Sequence, residues 1–207
     1  MPGKLPDGVM IAMNPIYQGQ VDVFCAAYAV INAIRRIHES RLLHCRELLH
    51  EALLDAAANP EYFATILKQQ TDYASWVDSM LERQVQRGTL YVEKPFSSTG
   101  SHSEAIPPER LWETLEQWLN GTSRRAVIFQ FIRHLIPTQL VIRHWSCGYI
   151  IQEDILSLLD SSLEPGSVHS IPKKNLVTDE SQGVTGKILI VPHTVRLLCA
   201  SSDRRLS

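Results

Sequence analysis

No stretch of the chain approaches the ~18 consecutive apolar residues that a membrane-spanning helix needs. Charge of one sign is equally lacking. Twenty Lys and Arg stand against 22 Asp and Glu, a net charge of −2, so no general attraction to nucleic acid or to an anionic membrane is expected. Cysteine is scarce. The four residues at 25, 45, 147 and 199 form no C-x-x-C pair and no dense disulfide framework. In a reducing compartment they should be free thiols. Internal repeats and low-complexity tracts are absent. Met1 to Asn14 carries one lysine and a short apolar patch, Val9 to Met13, broken up by Pro and Gly. That is too weak for a secretory signal, so the expectation is a cytoplasmic location or delivery by a signal-less secretion route.

What remains is an ordinary globular composition. The 207 residues suit one domain with a sizeable core, 1–207, with an irregular lead-in at 1–16 and a frayed tail at 200–207. Pro2, Pro6, Gly8 and Pro15 break the lead-in. From Cys25, apolar residues at Ala26, Ala29, Val30, Ala33, Ile34 and Ile37 recur at three- and four-residue spacing. This predicts a largely buried helix ending near His38. Ser40 can cap a second helix over about 41–58, with Leu42, Leu43, Leu48, Leu49, Leu53 and Leu54 as its apolar residues. Shorter helices are predicted over 60–67 and 72–86, and Gly88 stops the latter. Residues 89–92 read as a short strand and 95–108 as a long loop. Pro108 opens a helix to about Leu119. Trp76, Trp112 and Trp118 are expected to anchor helices in the core.

Beyond residue 120 the period changes. Arg125–Phe131, Leu140–Ile151, Ile155–Leu159 and Lys187–Val191 are β-rich, with Gln152-Glu153-Asp154 as a polar turn between the second and third. Helices followed by strands predict an α+β domain: a helical N-terminal half, with the helix led by Cys25 packed on a mostly antiparallel sheet.

Cys25 opens its helix, where free backbone N–H groups and the helix dipole favour a thiolate. Cys45, Cys147 and Cys199 read as small buried hydrophobes. A nucleophilic cysteine needs a base, and the base needs an orienting group. His144 reads as lying at the start of a strand, beside Trp145, and the next strand runs out at Asp160-Ser161-Ser162. A tight hairpin turned near 152–154 brings His144 close to Asp160, where a carboxylate can fix the imidazole tautomer. Asp160 could instead cap a turn with the two serines. His169 and His193 are alternatives to His144, but no acid follows either on a strand. Acyl transfer also needs donors aimed at the developing oxyanion. The N–H of Cys25 is one, and Gln20 or Gln18 can supply the second. His38, His44, Cys45 and His50 do not share a helix face, so no metal and no cofactor is expected.

These residues together resemble the papain-like cysteine peptidases in their compact forms. The Gln20 to Cys25 spacing is similar to that of the Josephin-type deubiquitinases, in which a Gln, a Cys-led helix with a downstream Asn, and a His-Trp strand recur. The small bacterial effector proteases look similar too. The resemblance implies a papain-like fold, with Gln20 as oxyanion residue, Cys25 as nucleophile, His144 as general base and acid, and Asp160 as orienter. Where the Josephin pattern has Asn at the third position, this chain has Asp160. It also implies a protein or peptide substrate cleaved at a peptide or isopeptide bond, with a ubiquitin-like protein as one candidate. Glutamine deamidation, acyl or peptidyl transfer, or a catalytically inactive interaction module on the same fold are the alternatives.

Overall fold

The structure, a computed structural model, describes residues 14–18, 23–71, 73–96, 105–121, 124–135, 140–162, 167–182 and 185–206. Most of the predicted lead-in, Gln20 and the middle of the 95–108 loop lie outside these residues. The described chain is α+β. Four helices come first: α1 (Cys25–His38), α2 (Leu42–Ala57), α3 (Pro60–Leu67) and α4 (Ala74–Gln86). Strand β1 (Leu90–Glu93) and helix α5 (Pro108–Leu119) follow. Seven strands complete the order: β2 (Arg125–Leu135), β3 (Leu140–Gln152), β4 (Ile155–Leu158), β5 (Ser170–Pro172), β6 (Leu176–Val177), β7 (Ile188–Ile190) and β8 (Arg196–Ala200).

One sheet carries the strand order β1-β8-β2-β3-β4-β5, with β7 also paired to β2 and β6 to β7. Among the described strand pairs β6 and β7 run parallel and the others antiparallel. Helix α1 lies on one face. Ala26, Ala27, Ala29 and Ala33 let its backbone approach the sheet, while Val30, Ile31, Ile34 and Ile37 supply area against Ile128, Trp145 and Cys147. Each of those branched side chains contributes about 1.5–3 kcal/mol on full burial. Arg35, Arg36 and His38 occupy the last turn, where cations suit the negative end of the dipole, and Glu39 ends the helix in the left-handed region. On the opposite face, Leu111, Trp112 and Leu115 of α5 pack on Val127, Phe129 and Phe131. Arg196 is buried in β8, and its Nε and Nη2 donate to Asp78 on α4 at 2.7 and 3.1 Å. Lys94, just after β1, donates to the same carboxylate. A buried guanidinium is tolerable only with such a partner, and the cluster fixes α4 to that end of the sheet.

The hairpin predicted between β3 and β4 has the anticipated turn. Gln152 faces Ile155 and Gly148 faces Leu158, with a bulge between Gly148 and Ile150. Glu153 and Asp154 both take left-handed backbone angles, as a two-residue turn joining right-twisted strands requires.

Several expectations need correction. Arg41, not Ser40, precedes α2, and no side-chain bond caps it. Its leucines are divided: Leu48 is buried, and Leu49 and Leu53 are partly buried against the core. Cys45, Leu48, Ala52 and Ala56 face inward, while Leu42, Leu43 and Leu54 are exposed. The buried face follows three- and four-residue spacing, and small residues fill it because α2 packs against the already broad α1. His144 is the fifth residue of β3, not its start. Trp118 is only half-buried, and its Nε1 donates to Ala126 O at 3.2 Å. The tail is not frayed throughout, since Ser201–Leu206 form a 3₁₀ helix. Strands β5, β6 and β8 were not anticipated. The first two are very short, and β8, buried from Arg196 to Cys199, lacks the alternation that marks a half-buried strand.

Gly148 shows how tightly the β3 hairpin packs against its neighbours. A Cβ there would stand 2.8 Å from Val127 Cγ2 and 2.9 Å from Leu156 Cδ1. Gly148→Ala is therefore expected to lower stability by about 1–3 kcal/mol, read as a lower urea midpoint. An unchanged midpoint would show that β2 and β4 can separate freely at this point.

Candidate active site

Cys25 is the first residue of α1. The helical ladder begins with Tyr28 N donating to Phe24 O at 3.1 Å, so the N–H groups of Cys25, Ala26 and Ala27 have no intrahelical acceptor. Among the described residues no side chain caps them, and the first turn carries no acid. A positive helix end is thus left facing the thiol and whatever approaches it. The sulfur is buried, with the Cys25 residue 8% exposed. Phe24 meets Trp76 edge to face at 5.8 Å between centroids, and Trp76 stacks obliquely on Tyr73. Tyr73 is buried, donates its hydroxyl to Ile66 O at 3.1 Å and holds a left-handed backbone angle before α4. Burial, then the nearby Cys25, pushes its hydroxyl up to about 12. These three aromatics belong to the same cluster as Cys25, on the α4 side.

His144 stands opposite Phe131 across the β2–β3 ladder, with 5.5 Å between ring centroids. Its Nε2 lies 2.9 Å from Asp160 Oδ1. The Cys25 thiol acts on the same ring, and with Nε2 taken by Asp160 the nitrogen left toward the sulfur is Nδ1. Asp160 is 1% exposed. Its Oδ1 also accepts from Ser162 N at 2.9 Å, and its Oδ2 from Val168 N at 3.1 Å. A buried carboxylate is costly unless its lone pairs are filled, and here three donors fill them. Ser162 N is the donor of an Asx-type turn, so the turn reading of this acid and the orienting one both hold.

Electrostatics follow from this geometry. Burial acts to lower the His144 pKa, but the bonds to Asp160 and Cys25 outweigh it and raise the value from 6.5 to about 10. Burial acts to raise the Asp160 pKa, yet His144 and the two backbone donors hold the carboxyl below its usual range. Cys147 is pushed up to about 12 by burial, and burial also raises Cys45 and Cys199.

The two halves of the site belong to opposite faces of the sheet. Cys25 joins the apolar cluster of the α1 face, whereas His144 shares the other face with Phe131. Leu159 N donates to Cys147 O at 2.7 Å, the last described main-chain bond on that side of β3.

Cys25, His144 and Asp160 thus come together from α1, β3 and the segment after β4. Gln20, the predicted oxyanion donor, lies outside the described residues. Gln18 is placed beside the acid, its N–H donating to Ser161 O at 2.9 Å. His169 flanks β5 and His193 lies in a 3₁₀ turn before β8, neither in the constellation. Sequence reasoning missed Ser162 N and Val168 N, because backbone donors carry no residue signature. It also missed Tyr73, whose neighbours come from elsewhere in the fold. Among the described residues, no group of three or more His, Cys, Asp and Glu could hold a metal. No family model matches the chain, and no curated protein matches it.

The linkage has a definite sign. His144 has a folded value above its ordinary 6.5, so its contribution to stability is full below about 6.5 and is lost as pH rises toward 10. Asp160 lies below its ordinary value, so its contribution is present above about pH 4 and is lost as pH falls. In a histidine NMR titration, the His144 ring is expected to keep its imidazolium shift at pH 8. Asp160→Asn should bring its midpoint down. A wild-type ring already neutral at pH 8 would contradict the geometry.

Proposed function

We propose that this chain is a papain-like cysteine hydrolase acting on a peptide or isopeptide bond. The observation that supports it is the Cys25–His144–Asp160 constellation at an uncapped helix start. Three residues far apart in sequence meet in the order that nucleophilic acyl transfer uses. The identity of the third residue favours the reading as well. A carboxylate with three donors anchors the imidazole in one tautomer, with Nδ1 free for the sulfur and later for the substrate.

In the proposed reaction the Cys25 thiolate attacks the scissile carbonyl and forms a C–S bond. The oxyanion that develops faces the Cys25 N–H, with the Gln20 side chain proposed as the second donor. Protonated His144 gives its proton to the leaving amine as the C–N bond breaks, leaving a thioester on Cys25. Neutral His144 then takes a proton from water. The hydroxide attacks the thioester, the C–S bond breaks, and the acid product leaves. Asp160 stabilises the imidazolium throughout. The substrate class is a protein or peptide, with a ubiquitin-like tail as one candidate.

A thiol-directed probe such as iodoacetamide tests this directly. At pH 6 it should label Cys25 first, and labelling should vanish in Cys25→Ala but persist in Cys45→Ala. His144→Ala should slow Cys25 labelling by roughly 10²- to 10⁴-fold. Equal labelling of all four cysteines, or none, would remove the basis for an enzyme.

A further inference from the structure

Asn32 is the one amide inside the apolar run of α1, and it is 1% exposed. It lies two turns beyond Cys25, on the same helix face. Its Oδ1 accepts from Ile16 N at 2.7 Å, and its Nδ2 donates to Ile16 O at 3.2 Å and to Leu159 O at 3.4 Å. This is the only orientation of the amide that suits one N–H and two carbonyls. Two neighbouring bonds extend the attachment. Arg35 Nη1 donates to Asn14 O at 2.7 Å, and Gln18 N donates to Ser161 O at 2.9 Å. The segment 14–18 is therefore a strap, held to α1 at Asn14 and Ile16 and to the segment after β4 at Ser161.

What the strap connects is specific to the site. Asp160 lies between Leu159, held by Asn32, and Ser161, held by Gln18. In sequence the strap precedes Gln20 and Cys25. One side chain on the nucleophile's own helix thus contacts the backbone next to the orienting acid and the backbone leading to the proposed oxyanion loop. A leucine would fill the same space without needing three polar partners, so cohesion alone does not explain an amide here.

We infer that Asn32 is a positioning residue, which sets the register of the Cys25 helix against the His144–Asp160 pair through Ile16 and Leu159. The inference rests on the hydrolase reading. Removing the donor while keeping the shape, as in Asn32→Asp, sets a carboxylate against the carbonyls of Ile16 and Leu159. The strap and the Leu159–Ser161 segment then separate from α1, and the thiol moves relative to the imidazole. Displacements of about an ångström in such a constellation cost up to about 100-fold.

The test is the pH dependence of iodoacetamide alkylation at Cys25, followed by mass spectrometry of the Cys25 peptide, with circular dichroism on the same samples. In the wild type, Cys25 should react at pH 6 ahead of the other three thiols. In folded Asn32→Asp, its rate at pH 6 should fall about tenfold or more, and its half-maximal pH should move upward. A purely structural role would lower the melting temperature and leave that profile in place, which would overturn the inference. If Asn32→Asp does not fold, Arg35→Ala loosens the same strap from the helix surface. It should shift the profile in the same direction by a smaller factor, and an unshifted profile there overturns the inference too. A wild type without preferential Cys25 reactivity at pH 6 instead overturns the hydrolase reading on which the inference stands.

Discussion

A carboxylate taken almost wholly out of water has to be given hydrogen bonds, and the neighbourhood of Asp160 is built to supply them. The imidazole of His144 comes from β3, the N–H of Ser162 from the turn, and the N–H of Val168 from the segment returning toward β5. Meeting that demand fixes the path of the chain after β4 and the tautomer of His144 together. It also keeps the imidazole protonated well above its ordinary range. An acid at this position without the ring would be a buried, underpartnered charge. The ring without the acid would have no reason to prefer one nitrogen over the other. The polar half of the site is therefore a single unit, and its stability and its chemistry have the same source.

The apolar half is arranged around a different constraint. Helix α1 is buried on nearly every side, so it can sit only in the middle of the fold, with the sheet on one side and α2 and α4 on others. Its first residue, Cys25, bears on the His144 ring. An uncapped helix start in the interior of a protein is ordinarily a defect. Here it supplies free N–H groups where an anionic sulfur or oxyanion would need them.

Much of the site was readable before any coordinates. The three- and four-residue spacing after Cys25 marks α1 to within a residue, and the polar turn at 152–154 sets the register that carries His144 toward Asp160. Local pattern was a poorer guide wherever burial was divided among several partners. Of the α2 leucines, Leu48 is buried while Leu42, Leu43 and Leu54 are exposed, and Cys45, Ala52 and Ala56 complete the buried face. Strand β8 escaped notice because it is buried along most of its length, and a strand covered on both faces shows no alternation.

The sequence by itself determined the class of fold, the helix that begins at the cysteine, and the pairing of a strand histidine with an acid just past the next strand. Those are local properties, encoded in spacing, breakers and turn residues. Only the tertiary structure decided that backbone N–H groups hold the acid, and that Asn32 ties the helix to the strap and to Leu159. Each of these depends on segments distant in sequence, most clearly Asn32 and Leu159. Backbone donors and acceptors are the same at every residue, so no sequence pattern can announce which of them a buried amide or carboxylate will find.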